Sequence, residues 1–163
     1  MAIDMASTDQ IVVSFRDAPG LESATDYLRD GLLPSDGIVY DRASSQLTLS
    51  FRQPDFTQSE YKRLWLCLWQ RVTPLRCWTI IFRRVLAFDI DYCGEEGAPR
   101  DHWLANLYYR NGNIRVVTHD AMILTIHVER IDGEVVRHTE LDSIRAMKPL
   151  VVRLWGTKQS QPK

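Results

Sequence analysis

The chain has 163 residues, 45% of them apolar and 25% charged, a balance that fits one globular domain and excludes an intrinsically disordered chain. Twenty basic and 21 acidic side chains leave a net charge of −1, so no strong overall field draws the molecule to phosphate backbones, and nucleic acid is not an expected partner. The three cysteines, Cys67, Cys77 and Cys93, are odd in number and unpaired in spacing, which points away from a disulfide framework and toward a reducing, cytoplasmic setting. The first residues show neither the basic nor the apolar region of a signal peptide. No apolar run approaches the ~20 residues of a membrane span.

The division expected is a flexible start over residues 1–9, a single globular domain over 10–156 and a disordered polar tail over 157–163. Ile11 to Phe15 is a β-branched run broken by Asp17-Ala18-Pro19-Gly20, hence a strand. Leu21, Ala24, Thr25 and Leu28 then recur at helical spacing, predicting one amphipathic helix over about residues 20–30 with Gly31 as its C-terminal cap.

Strand signals dominate from there. Residues 37–40 and 46–51 flank a turn-rich Asp41–Ser45, which predicts a hairpin, with Leu47, Leu49 and Phe51 on its buried face. Residues 61–69 fit either a helix with Tyr61, Leu64, Trp65 and Leu68 buried or a strand apolar on both faces; the balance tips to strand. Val72-Thr73-Pro74-Leu75 reads as a turn into a strand from Cys77 to Phe82, and Val85 to Tyr92 as another strand.

Trp103–Tyr109 and Ile114–Thr118 bracket Asn111-Gly112, the pair that adopts a type I′ hairpin turn most readily. Met122, Leu124, Ile126 and Val128 alternate toward the core, and Asp132-Gly133 suggests a second hairpin turn. Thr139 would cap a short helix with Leu141, Ile144 and Met147, stopped by Pro149, before a last strand from Leu150 to Trp155. The fold class expected is α+β, mainly β: an antiparallel meandering sheet or sandwich with one or two accessory helices.

Chemistry-bearing patterns are sparse. Val85-Leu86-Ala87-Phe88-Asp89-Ile90-Asp91, an apolar strand ending in Asp-x-Asp, resembles the first motif of haloacid-dehalogenase-like phosphotransferases. That resemblance implies Asp89 as nucleophile, Asp91 as general acid and Mg²⁺ nearby. The chain departs from the family at Cys93, where Thr or Val is usual, and in the antiparallel hairpins that follow. The alternative is that Ile90 packs inward while Asp89 and Asp91 face solvent.

A metal site from Asp89, Asp91, Cys93, Asp101, His102 and His119 lacks any spacing that presents two ligands together, so no metal or cofactor is expected. A Cys–His pair would need Cys93 beside His102, His119 or His127, and no nucleophile elbow or phosphate-binding glycine loop accompanies it. His127, on one strand face with Thr125 and Glu129, reads as a cross-strand partner. Lys62, Arg63, Arg71, Arg76, Arg83 and Arg84 concentrate basic charge in one stretch.

The aromatic residues are the remaining signal. Trp65, Trp69, Trp78, Trp103 and Trp155, with Tyr108 and Tyr109, exceed what a small core needs, and such side chains favour binding surfaces; Trp65, Trp69, Trp103, Tyr108 and Tyr109 are the binding candidates. The leading expectation is a non-catalytic interaction module, with a protein partner or self-association as a homodimer and no membrane contact. In general pattern it resembles small bacterial domains, some of them toxin-neutralising immunity proteins, with no motif behind that likeness. The alternative is a small hydrolase or phosphotransferase using Asp89 and Asp91 with His102 and His119. A pocket gathering those four side chains would favour the enzyme, and their dispersal the module.

Overall fold

The computed structural model describes residues 10–65, 68–92 and 101–149; for residues 64, 65, 68, 69 and 139–149 it describes the course of the backbone. Its strands are β1 (Gln10–Phe15), β2 (Leu32–Pro34), β3 (Ile38–Asp41), β4 (Gln46–Pro54), β5 (Glu60–Trp65), β6 (Leu68–Phe82), β7 (Val85–Tyr92), β8 (Asp101–Arg110), β9 (Asn113–Thr118), β10 (Met122–Val128) and β11 (Gly133–Pro149). All pair antiparallel in the order β1-β11-β6-β4-β2-β8-β9-β10-β7, with β3 beside β4 and β5 beside β6. One helix, α1 (Ala18–Leu28), accompanies them. The mainly-β expectation is met.

α1 starts where Asp17 accepts a 2.8 Å hydrogen bond from the Gly20 amide, and its buried stripe is Leu21, Ala24, Thr25 and Leu28, as the spacing indicated. The left-handed residue after it is Asp30 (φ 58°), not Gly31. Gly31 is needed for close approach instead: a Cβ there would lie 2.8 Å from the Leu28 carbonyl.

The short β2 pairs with both β4 and β8 and so joins two halves of the sheet. The halves turn their apolar faces to one shared core. Leu47, Leu49, Ile80 and Phe82 come from one half, and Leu104, Ile114, Val116, Leu124 and Ile126 from the other; Phe15 and α1 pack into the same cluster. Each such side chain, fully buried, stabilises by about 1.5–3 kcal/mol. The free edges of β3 and β7 meet at a narrow seam. There the Val85 amide donates to the Ser45 carbonyl at 2.9 Å, and the Tyr40 hydroxyl donates to the Val85 carbonyl at 3.2 Å. Tyr40 and Phe88 stack edge-on across it, with centroids 5.5 Å apart.

The Asn111-Gly112 turn has positive φ at both residues (52° and 83°), the type I′ geometry expected. Three other expectations are corrected. Val72–Leu75 is no turn, because β6 runs straight through it. Pro74 is tolerated because its carbonyl accepts from the Asp55 amide, so its missing N–H faces the gap where the chain leaves β4 for β5. The helix expected around Leu141, Ile144 and Met147 is strand: Leu141–Pro149 pairs residue for residue with Arg76–Leu68 of β6, and that ladder overrides a short helical period.

Asp132-Gly133, finally, is a crossover rather than a hairpin turn, since β10 and β11 lie in different halves. Glycine is required there because a Cβ would come within 2.4 Å of the Ile81 carbonyl and 2.5 Å of the Phe15 ring. Arg83 clasps the crossover, bonding Glu134 at 2.7 Å, with its amide on the Asp132 carbonyl. The strand expected over Leu150–Trp155 lies outside the described residues.

Beyond Trp78 the core ends, while β6 continues with β5 on one side and Leu141–Pro149 of β11 on the other. These three segments form a wing. Leu75 and Thr73 are buried within it, yet neither belongs to the main apolar cluster.

Candidate functional site

β7 is an edge strand, paired with β10 and, past Val85, with no other described strand. Its register places Phe88, Ile90 and Tyr92 opposite Ile126, Leu124 and Met122, so their side chains share the core-facing side. The β10 residues are wholly buried, whereas Ile90 is 36% and Tyr92 46% exposed. Leu86, at a bulge in the same strand, is 68% exposed. Asp89 and Asp91 occupy the opposite face, beside Thr125 and Ile123, and both are exposed. Inward-facing apolar residues at an unpaired edge are thus left partly uncovered, an arrangement that suits strand addition.

The titratable candidates separate. His102 is 1% exposed, and its Nδ1 lies 2.5 Å from the Asp120 carboxylate. Burial pushes the Asp120 carboxyl up, but hydrogen bonds from Thr118 and His102 outweigh it and hold the group below the usual carboxylate range. With Asp120 ionised, Nδ1 donates to it. His102 Nε2 and Asp120 Oδ1 are buried without partners, and the Tyr92 ring packs 5.7 Å from the imidazole.

Asp89 instead meets His127, with Nε2 2.9 Å from its carboxylate, while His127 Nδ1 lies 2.8 Å from Asn113 Oδ1. This is the cross-strand role expected of His127. His119 approaches Asp30 at 3.8 Å, both exposed. Among the described residues Asp89, Asp91, His102 and His119 therefore have separate partners, and none of them lines either of two open clefts. One cleft, about 480 Å³, lies between α1 and β8 and is lined by Glu22, Asp26, Arg29, Asn106 and Tyr108 among others. The other, about 280 Å³, surrounds Asp55 and Arg76, which are bonded at 2.6 Å.

Among the aromatic candidates, Trp103 is 41% and Tyr109 38% exposed, and Tyr108 is half-buried in the larger cleft. The side chains of Trp65 and Trp69 lie outside the described residues. The chain's local signals did not single out Phe56, and the helical alternative over 61–69 would have buried Tyr61; the two are 62% and 57% exposed, Tyr61 on strand β5, and they flank Arg71 at 5.2 and 5.9 Å from guanidinium to ring centroid. The uncovered side of β7 was missed as well. The strand's own residues show only apolar positions at 86, 88, 90 and 92 alternating with acids at 89 and 91, a pattern that an internal half-buried strand also has.

Among the described residues, no three His, Cys, Asp or Glu side chains converge as a metal site, and no helix is long and apolar enough to cross a membrane. No family model matches the chain, and no curated protein and no solved structure proves similar to it.

Proposed function

We propose that the protein is a non-catalytic interaction module that takes a partner polypeptide as an added strand along β7. The observation that carries this reading is the open edge past the seam with β3, where Ile90 and Tyr92 are turned toward the core side but incompletely covered. Main-chain bonds to the edge would supply affinity, and the uncovered apolar side chains selectivity. The dispersal of Asp89, Asp91, His102 and His119 supports the module over a hydrolase or phosphotransferase. We place the protein in the cytoplasm, on the odd cysteine count and the free thiol of Cys77.

A displayed library of ten-residue peptides tests the site. Binders should be enriched in alternating apolar residues and should lose affinity for Ile90→Lys but keep it for Trp103→Ala. A library without binders, or binders indifferent to Ile90→Lys, would overturn the reading.

A further inference from the structure

In the wing, the half-buried Arg71 holds its guanidinium between two exposed rings, 5.2 Å from the Phe56 centroid and 5.9 Å from that of Tyr61. Tyr61 sits directly opposite Arg71 in the β5–β6 ladder, and Arg63, also exposed, follows two residues on along the same face. Glu60 and Lys62, opposite Val72 and Gln70, belong to the other face. Phe56 is carried on a short 3-10 turn, Phe56–Gln58, that is pinned to β6 at both ends. The Asp55 amide donates to the Pro74 carbonyl at 2.9 Å, and the Ser59 hydroxyl meets that of Thr73 at 2.9 Å.

Charge on this face is unbalanced. Arg71 Nη2 donates to the neutral Ser59 hydroxyl at 3.1 Å, Nε is buried without a partner, and no carboxylate among the described residues pairs with it. Asp55, next to Phe56 in sequence, is taken by Arg76 at 2.6 Å. Along β11 the ladder sets Ala146 opposite Arg71, Lys148 two residues further toward the open end, and Asp142 four residues the other way, opposite the buried Leu75.

We propose that this face binds single-stranded nucleic acid, with bases stacked on Phe56 and Tyr61 and backbone phosphates beside Arg71 and Arg63. Two features select that occupant together. A guanidinium without a carboxylate calls for an anion, and two exposed rings beside it call for planar groups on that anion. Unpaired bases on a phosphate backbone supply both, whereas an acidic peptide supplies only the charge and a duplex keeps its base faces in its own stack. The rings stand on an open face beside β5, which pairs with β6 and no other described strand, and the clefts at α1 and at Asp55 do not include them. Such a surface suits a chain laid along it rather than one enclosed nucleotide. The net charge of −1 removes long-range steering, not this local contact.

Fluorescence anisotropy of labelled oligo(dT) and oligo(U), about twelve nucleotides long, tests this. The wild type should bind both, and more weakly as salt rises. Phe56→Ala and Tyr61→Ala should each weaken binding at least about fivefold without changing the salt dependence. Arg71→Gln should weaken binding and lessen the slope of log affinity on log salt by about 0.7. Trp103→Ala, which removes an exposed ring from the other half of the sheet, should bind as the wild type does. Circular dichroism checks the fold of each variant, and if Arg71→Gln does not fold the two ring variants decide.

No binding at low salt would overturn the proposal, as would affinity that survives both ring variants, since charge alone would then hold the strand. Poly-glutamate or duplex DNA binding as tightly as oligo(dT), or thymidine monophosphate competing as well as the oligonucleotide, would overturn it too. Any of these results leaves the β7 reading untouched, because β5 and β7 lie in different halves of the sheet.

Discussion

Among the described residues, two histidine–aspartate pairs lie within hydrogen-bond distance and in opposite settings. His102 and Asp120 meet at 2.5 Å with side-chain exposures of 1% and 23%, tying β8 to the turn between β9 and β10. His127 and Asp89 meet at 2.9 Å with exposures of 38% and 77%, on the outer face of β10 and β7. A distance alone does not rank them. Removing a partner from the first leaves a buried polar atom without water or bond, whereas the second trades its contact for solvent. The same pairing is therefore structural in one place and nearly neutral in the other.

Four substitutions sharpen this contrast. His102→Ala should cost most, about 3 kcal/mol in urea denaturation, since it opens a cavity and strands the Asp120 carboxylate. A loss below about 1 kcal/mol would mean that the site relaxes as freely as a surface one. Asp120→Asn should cost about 1–3 kcal/mol at neutral pH.

That second loss should also depend on pH. The folded Asp120 carboxyl lies below its ordinary range, so its contribution is complete above the unfolded value of about 3.9 and disappears as pH falls through the lower folded value. The stability gap between Asp120→Asn and wild type should accordingly close in acid; a gap that widened there would contradict the direction of the shift. His127→Ala should cost no more than about 1 kcal/mol, and less in high salt. Asp89→Asn should fall within about 0.5 kcal/mol of wild type by the same measurement. A larger effect from either would give the exposed pair a structural weight its surroundings do not explain.

Much of the sheet was legible because local chemistry and tertiary pairing agree. Leu47, Leu49 and Phe51 alternate in a strand that is buried on that face, and Asn111-Gly112 sits at a turn whose backbone needs positive φ. Legibility failed where pairing partners lie far off in sequence. Leu141, Ile144 and Met147 carry a helical period, but β6 captures them as strand, some 70 residues from their partners at Arg76, Thr73 and Gln70. Asp132-Gly133 has turn composition, yet its glycine is there for the Phe15 ring.

The site was less legible than the fold. That His102 would be buried, and that Asp89 would meet His127 rather than its neighbours in sequence, are consequences of register, which no motif encodes. The exposure of Ile90 and Tyr92 likewise depends on β7 ending the strand order, a property of topology and not of the strand's own residues.

The pairing of β1 with β11 brings Gln10–Phe15 against Gly133–Arg137 and so closes the described chain nearly end to end. This fixes a kinetic consequence. Phe15 cannot find its place over Gly133 until the start of β11 is available, and β6 lacks the neighbour along one of its two sides until then. A chain emerging in order from its N-terminus holds Leu47, Leu49, Ile80 and Phe82 without their complete cover until β11 follows. Slow, late closure follows from so non-local a set of contacts, and the interval before it is when these strands are most exposed to pairing with the wrong neighbour.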